Sequence, residues 1–103
     1  MTTKRPNTLQ GETHRIETNA GRLFVTINFH EEKPFEVFLR VGKHGGDLGA
    51  FVSSIARFIS QDLRQGHAIP KIIKKLETAD HDALLPTVPD AVAQILALKN
   101  KGT

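Results

Sequence analysis

The sequence predicts an α+β fold: a three-stranded antiparallel sheet followed by three helices packed on one of its faces. Two observations carry this expectation. Residues 21–29 and 34–41 alternate apolar and polar side chains with the period of a strand, and beyond residue 47 the period lengthens to that of a helix. All strand-like segments precede all helix-like ones, an order that segregates helices to one side of a small sheet instead of interleaving them with it. A chain of 103 residues, 39% hydrophobic and 24% charged, suits one domain with a single modest core.

Residues 1–10 are polar and include Lys4, Arg5 and Pro6, so they are expected to form a mobile basic arm ahead of a single domain over 11–103. ETHRIET (12–18) alternates loosely and is the first strand, closed by NAG, whose Asn19 and Gly21 suit a hairpin turn. GRLFVTINF puts Leu23, Val25, Ile27 and Phe29 on one face. PFEVFLRV does the same with Phe35, Val37, Leu39 and Val41. The short polar link between them makes these two strands an antiparallel hairpin, with Pro34 near its edge where a missing amide donor matters least. Leu48, Phe51, Val52, Ile55, Ile59 and Leu63 then recur at helical spacing, and the helix should end near Gln65, because Gly66 can take the left-handed conformation that closes it. IPKIIKKLE forms a shorter helix with Pro70 in its first turn and Ile69, Ile72, Ile73 and Leu76 opposite Lys71, Lys74 and Lys75. In TVPDAVAQILAL, Thr87 and Asp90 stand at capping-box spacing and Pro89 is in the first turn, so the third helix starts at Val88.

Several function classes are excluded or disfavoured by composition. With no cysteine the chain has no disulfide, thiolate zinc site, iron–sulfur cluster or cysteine nucleophile. His14, His30, His44, His67 and His81 fall in different segments without a local pair at ligand spacing, and His44 with Asp47 would need further ligands from elsewhere. No metal or other cofactor is expected. Ser53, Ser54 and His44 match no nucleophile–base motif, so the chain is read as a non-enzyme. A net charge of +3 favours anionic partners weakly, because eleven acids are scattered among fourteen bases. No apolar run approaches the ~18 residues of a membrane span, and MTTKRPNTLQG lacks the apolar stretch of a signal peptide. A cytoplasmic protein without membrane contact is expected.

RPNTLQGETHRIET, GRLFVTIN, PFEVFLRVGKHGG, the long helix and the closing TVPD together resemble the TSCPD domain, the module at the C-terminal end of vitamin B12-dependent ribonucleotide reductases that also occurs alone. The resemblance runs over residues 5–98. It implies a metal-binding module of nucleotide metabolism, but the family's cysteines are absent: Ala20 stands where one precedes the second strand, Asp47 where one follows the paired glycines, and Val88 in the Thr-Ser-Cys-Pro-Asp motif itself. Joint loss of every thiol reads as loss of one site.

Two features remain as binding candidates. In RVGKHGGDLG, Gly42, Gly45 and Gly46 leave the backbone free to form an anion nest at a helix N-terminus, with Lys43 and His44 beside it. The competing reading is a tight turn in which Asp47 caps the helix and repels phosphate. On the strand faces turned away from the core, Arg22, Phe24, Thr26 and Asn28 lie beside Glu36, Phe38 and Arg40. Phe24 and Phe38, flanked by Arg22 and Arg40, suit stacked nucleobases, the centre of a homo-oligomer interface, or simple coverage by a loop or the basic arm. The leading expectation is a non-catalytic nucleotide- or nucleic-acid-binding module using Lys43, His44, Gly45, Gly46, Arg40 and Arg22. The alternatives are an accessory domain docking on a ribonucleotide reductase or another nucleotide-metabolism enzyme, and a viral or mobile-element protein that sequesters a nucleotide signal. Dialysed protein is expected to carry no stoichiometric zinc or iron and to melt at the same temperature with and without chelator; elemental analysis giving about one zinc per chain would contradict this.

Overall fold

A computed structural model describes residues 4–42, 46–77 and 84–100. Strands β1 (Gln10–Thr18), β2 (Gly21–His30) and β3 (Lys33–Val41) form one antiparallel sheet in the order β1-β2-β3, followed by helices α1 (Gly46–Arg64), α2 (Ile69–Leu76) and α3 (Val88–Lys99). The fold is α+β, as the order of periodicities implies.

Each hairpin turn has its own chemistry. At the β1–β2 turn Gly21 takes a φ of +113°, while the hydroxyl of Thr18 donates to Gly21 O at 2.6 Å and accepts from the Ala20 amide at 3.2 Å. Asn19 N–H donates to Pro86 O at 3.0 Å, which ties this turn to the segment entering α3. The β2–β3 turn places Glu31 and Glu32 at φ +53° and +67°, between the paired His30 and Lys33. Both central residues are left-handed, the backbone of a type I′ turn, although glutamate is a poor occupant of it. Just beyond, the register shifts between Asn28 and Phe29, which lets Pro34, Phe35 and Glu36 all be buried in succession.

Leu23, Val25 and Ile27 are wholly buried and, with Val37, Leu39 and Val41, meet Val52, Ala56 and Ile59 of α1 and Ala91, Val92 and Leu96 of α3. Burying each of the larger side chains contributes about 1.5–3 kcal/mol. α1 lies along β3, and α2 packs chiefly on α3, inserting Ile72 into the same core. The stripe that α1 buries differs from the expected one: Phe51 is 66% exposed, and Ala56 and Ser60 take core positions instead. Phe51 lies roughly 140° and 180° around the helix from Ala56 and Ser60, so a stripe that includes those two and faces β3 turns Phe51 outward. Phe58, one further exposed aromatic of α1, shares the outward side.

The helix ends follow local chemistry. Gly66 at φ +80° closes α1: its N–H donates to Leu63 O at 3.1 Å and His67 N–H to Asp62 O at 3.1 Å, the paired bonds of a Schellman motif. Thr87 caps α3, its Oγ1 accepting from Asp90 N–H at 3.2 Å, with Pro89 in the first turn. α1 starts at Gly46, whose φ of +62° turns the chain inward before Asp47, so Asp47 lies within the first turn and not at the cap expected from sequence. Its exposed carboxylate there favours the positive end of the helix dipole. Among the described residues no helix is long and apolar enough to cross a membrane.

Replacing Glu31 by Asn and Glu32 by Gly should relieve the left-handed strain and raise stability by about 1 kcal/mol, read as a higher midpoint in urea at unchanged slope.

Candidate functional site

The sheet face opposite the helices is built by strand alternation. Cross-strand pairing places Arg15 beside Phe24 and Phe24 beside Arg40 in one row, with Thr13, Thr26 and Phe38 in the next. The Arg40 guanidinium sits over the Phe24 ring, 4.6 Å from its centroid, and thereby occupies one face of that ring. Phe38 is 55% exposed and is the aromatic of this face left open to solvent. Between the phenylalanines and β1, the hydroxyls of Thr13 and Thr26 are hydrogen-bonded at 2.8 Å. Arg22 is committed to Glu17, Nε to Oε1 at 2.8 Å, both side chains being largely exposed.

The end of this face is organised around Glu36, which has no exposed surface. Arg5 Nε donates to both carboxylate oxygens at 2.9 and 3.0 Å, Arg64 of α1 donates to Oε2 at 2.6 Å, and Asn28 Nδ2 donates to Oε1 at 3.0 Å. The Arg64 guanidinium also stacks near Phe35, 5.5 Å from the ring centroid. Burial by itself would raise the carboxyl's pKa, but the hydrogen bonds from Arg5, Asn28 and Arg64 and the charge of Arg5 outweigh it and hold Glu36 below the ordinary carboxylate range. Gly11 makes room for this arrangement: a Cβ there would lie 1.8 Å from Asn28 Oδ1. Arg5, from the N-terminal segment, is thus bonded to this buried carboxylate.

On the helix side, Glu12 accepts from Lys99 Nζ at 2.9 Å and pairs with His14, holding the end of α3 against β1. The Lys99 bond is the main reason its carboxyl also titrates low.

Of the residues proposed from sequence, Arg22, Phe24, Phe38 and Arg40 share the open face. Gly46 begins α1, exposed, while Lys43, His44 and Gly45 lie outside the described residues, so the glycine-loop reading is untouched by this geometry. Glu36 is on the expected face, but buried and neutralised instead of solvated. Arg15 is a member of this face that the alternation of β2 and β3 does not reveal; counting back across a two-residue turn at Asn19 and Ala20 puts it in register with Phe24. Among the described residues, no three His, Asp or Glu side chains are grouped as a metal would require.

The sequence profile of the TSCPD domain matches residues 1–99. The chain belongs to the TSCPD domain family. No curated protein and no solved structure matches it. Two of the positions where the family resemblance places cysteines are brought near each other by the Asn19–Pro86 bond, and both now carry apolar groups: Ala20 packs against the core and Val88 is buried in it. In this TSCPD domain those positions contribute packing. The third, Asp47, is exposed.

Glu36→Gln should destabilise the protein by about 3 kcal/mol at neutral pH, because two guanidinium groups then lose a buried counter-charge. The folded carboxyl titrates below its unfolded value near 4.5, so wild-type stability is fully present above that pH and is lost as pH falls through the lower folded value. Urea midpoints for the two proteins should therefore converge as the pH is lowered below 4.5.

Proposed function

We propose that this TSCPD domain is a non-catalytic binding module whose open sheet face takes a nucleotide or a short stretch of single-stranded nucleic acid. The observation that carries the reading is the Arg15–Phe24–Arg40 row beside the exposed ring of Phe38. A base stacks on Phe38, and such stacking contributes about 1–3 kcal/mol per base without reference to sequence. Arg40, already held flat on Phe24, and Arg15 on the far side of that ring supply the cations for flanking phosphates. Glu36 supports the same reading, since its charge is answered by Arg5 and Arg64 and does not repel an anion approaching the face. Glu17 is likewise engaged, by Arg22.

The test is titration of fluorescent dodecamers of thymidylate and uridylate at several salt concentrations. Phe38→Ala should weaken binding by about 5- to 100-fold, the loss of one stacked base. Arg40→Ala should reduce the slope of log affinity against log salt by about 0.7, the value for one phosphate of a single strand. Failure of the wild type to bind at low salt, or an unchanged affinity in Phe38→Ala, would defeat the proposal. The face could instead be occupied by a second copy. That outcome is recognised by sedimentation faster than an 11.4 kDa monomer, reversed by Phe38→Glu.

A further inference from the structure

The free edge of β3 carries a second surface, distinct from the open face. In an antiparallel pair, alternate residues aim their backbone groups toward and away from the neighbouring strand. Gly42 N–H donates to Arg22 O at 2.8 Å, so the even-numbered positions of β3 point toward β2. Odd-numbered Val37 points outward, where its N–H donates to Ser60 Oγ at 2.9 Å and its carbonyl accepts from the same hydroxyl at 3.1 Å. Leu39 has the same parity. Its N–H and C=O face outward, and no described residue bonds them.

α1 runs beside this edge but does not cover it, because it presents Gly49, Ala50 and Ser53 there. A trough of about 490 Å³ follows Val37 to Leu39, and a continuation of about 330 Å³ follows Leu39 to Val41; the two share Leu39 and Ser53. Arg57 and Arg64 line the first part and Arg40 the second, and among the described lining residues there is no Asp or Glu. Among the described residues, the Arg57 head group is engaged by its neighbour Ser54 alone, at 3.1 Å, whereas Arg64 bonds Glu36 through Nη2 at 2.6 Å and its buried Nε has no hydrogen-bond partner.

We infer that this trough takes an extended acidic peptide segment of a partner protein, which adds to β3 as a fourth strand by bonding the backbone of Leu39 and sets a carboxylate against Arg57. Strand addition to a free edge beside a helix gains affinity from main-chain bonds, and alternate side chains give specificity. The occupant is acidic because the lining is cationic. A second copy would instead set its own Arg40 and Arg57 against the same cations, and the chain's own ends, with Lys4, Arg5, Lys99 and Lys101, are basic as well.

The probe is a capped, fluorescent Val-Glu-Val-Asp-Val-Glu peptide, compared with its lysine counterpart and with a version N-methylated at alternate residues. The acidic peptide should bind saturably and slow amide hydrogen exchange at Leu39 by at least about tenfold, while the other two should not bind. Ser53→Phe, which fills the trough from an exposed position, and Arg57→Glu should each weaken the peptide by about tenfold or more while leaving oligonucleotide affinity at its wild-type value. If Ser53→Phe fails to fold, Arg57→Glu decides alone. The inference is overturned by equal binding of the N-methylated peptide, by unchanged Leu39 exchange, or by undiminished peptide binding in a folded variant. It is equally overturned if Leu39 is protected by self-association or by an oligonucleotide instead.

Discussion

Everything at the open end of the sheet depends on one buried carboxylate. Glu36 has given up all contact with water, a change that would cost several kcal/mol for an unpaired ion, and it is stable there because three groups from separate parts of the chain converge on it. Arg5 brings in the N-terminal segment, Arg64 the last turn of α1, Asn28 the central strand, and Gly11 the missing side chain that lets Asn28 stand where it does. The bulge at Asn28 and Phe29 belongs to the same arrangement, since it lets Phe35 be buried on one side of Glu36 while Val37 is buried on the other. A charged residue in a core is weak evidence for stability, but its geometric demands are strict, and here they set where the helix end and the N-terminal segment must lie.

Ser60 plays a neutral version of that role. Its hydroxyl answers both backbone groups of Val37, so α1 is held to the edge of β3 by polar bonds as well as by Val52, Ala56 and Ile59. An edge strand invites pairing with whatever extended chain it meets. In this protein the edge is closed at Val37, by one serine, and open two residues later at Leu39. The same small residues that let α1 approach the strand leave the trough beside it, so helix docking and a groove for an extended segment arise from one packing choice.

The positions related to the family's cysteines make a different point. Ala20 is partly buried against the core and Val88 lies within it, and the Asn19–Pro86 hydrogen bond draws their two segments together. These segments need no bound group to hold them, because the strands and helices are stabilised by the apolar cluster between them.

Local chemistry alone determined most of the fold of this TSCPD domain. Alternation in residues 21–41 assigns the strands and their inward faces, Gly66 ends α1, and Thr87 with Pro89 starts α3, because turn, cap and period are decided by neighbours along the chain. The same alternation put Phe24, Phe38 and Arg40 on one face, so much of the candidate site was legible too. Arg15 was hidden by the weak pattern of the first strand, which has polar residues on both faces. What only the tertiary structure decided are the matters set by distant partners. Phe51 has a core-like place in the helical period yet faces water, since the stripe that α1 turns to β3 runs through Val52, Ala56, Ile59, Ser60 and Leu63 and leaves Phe51 on the outward side. Glu36 reads as a solvated strand residue and is buried, because the guanidinium groups that make burial tolerable come from residues 31 and 28 positions away in the chain. A pattern of neighbours carries no record of such pairings; they exist only once the sheet, the helix end and the N-terminal segment have met.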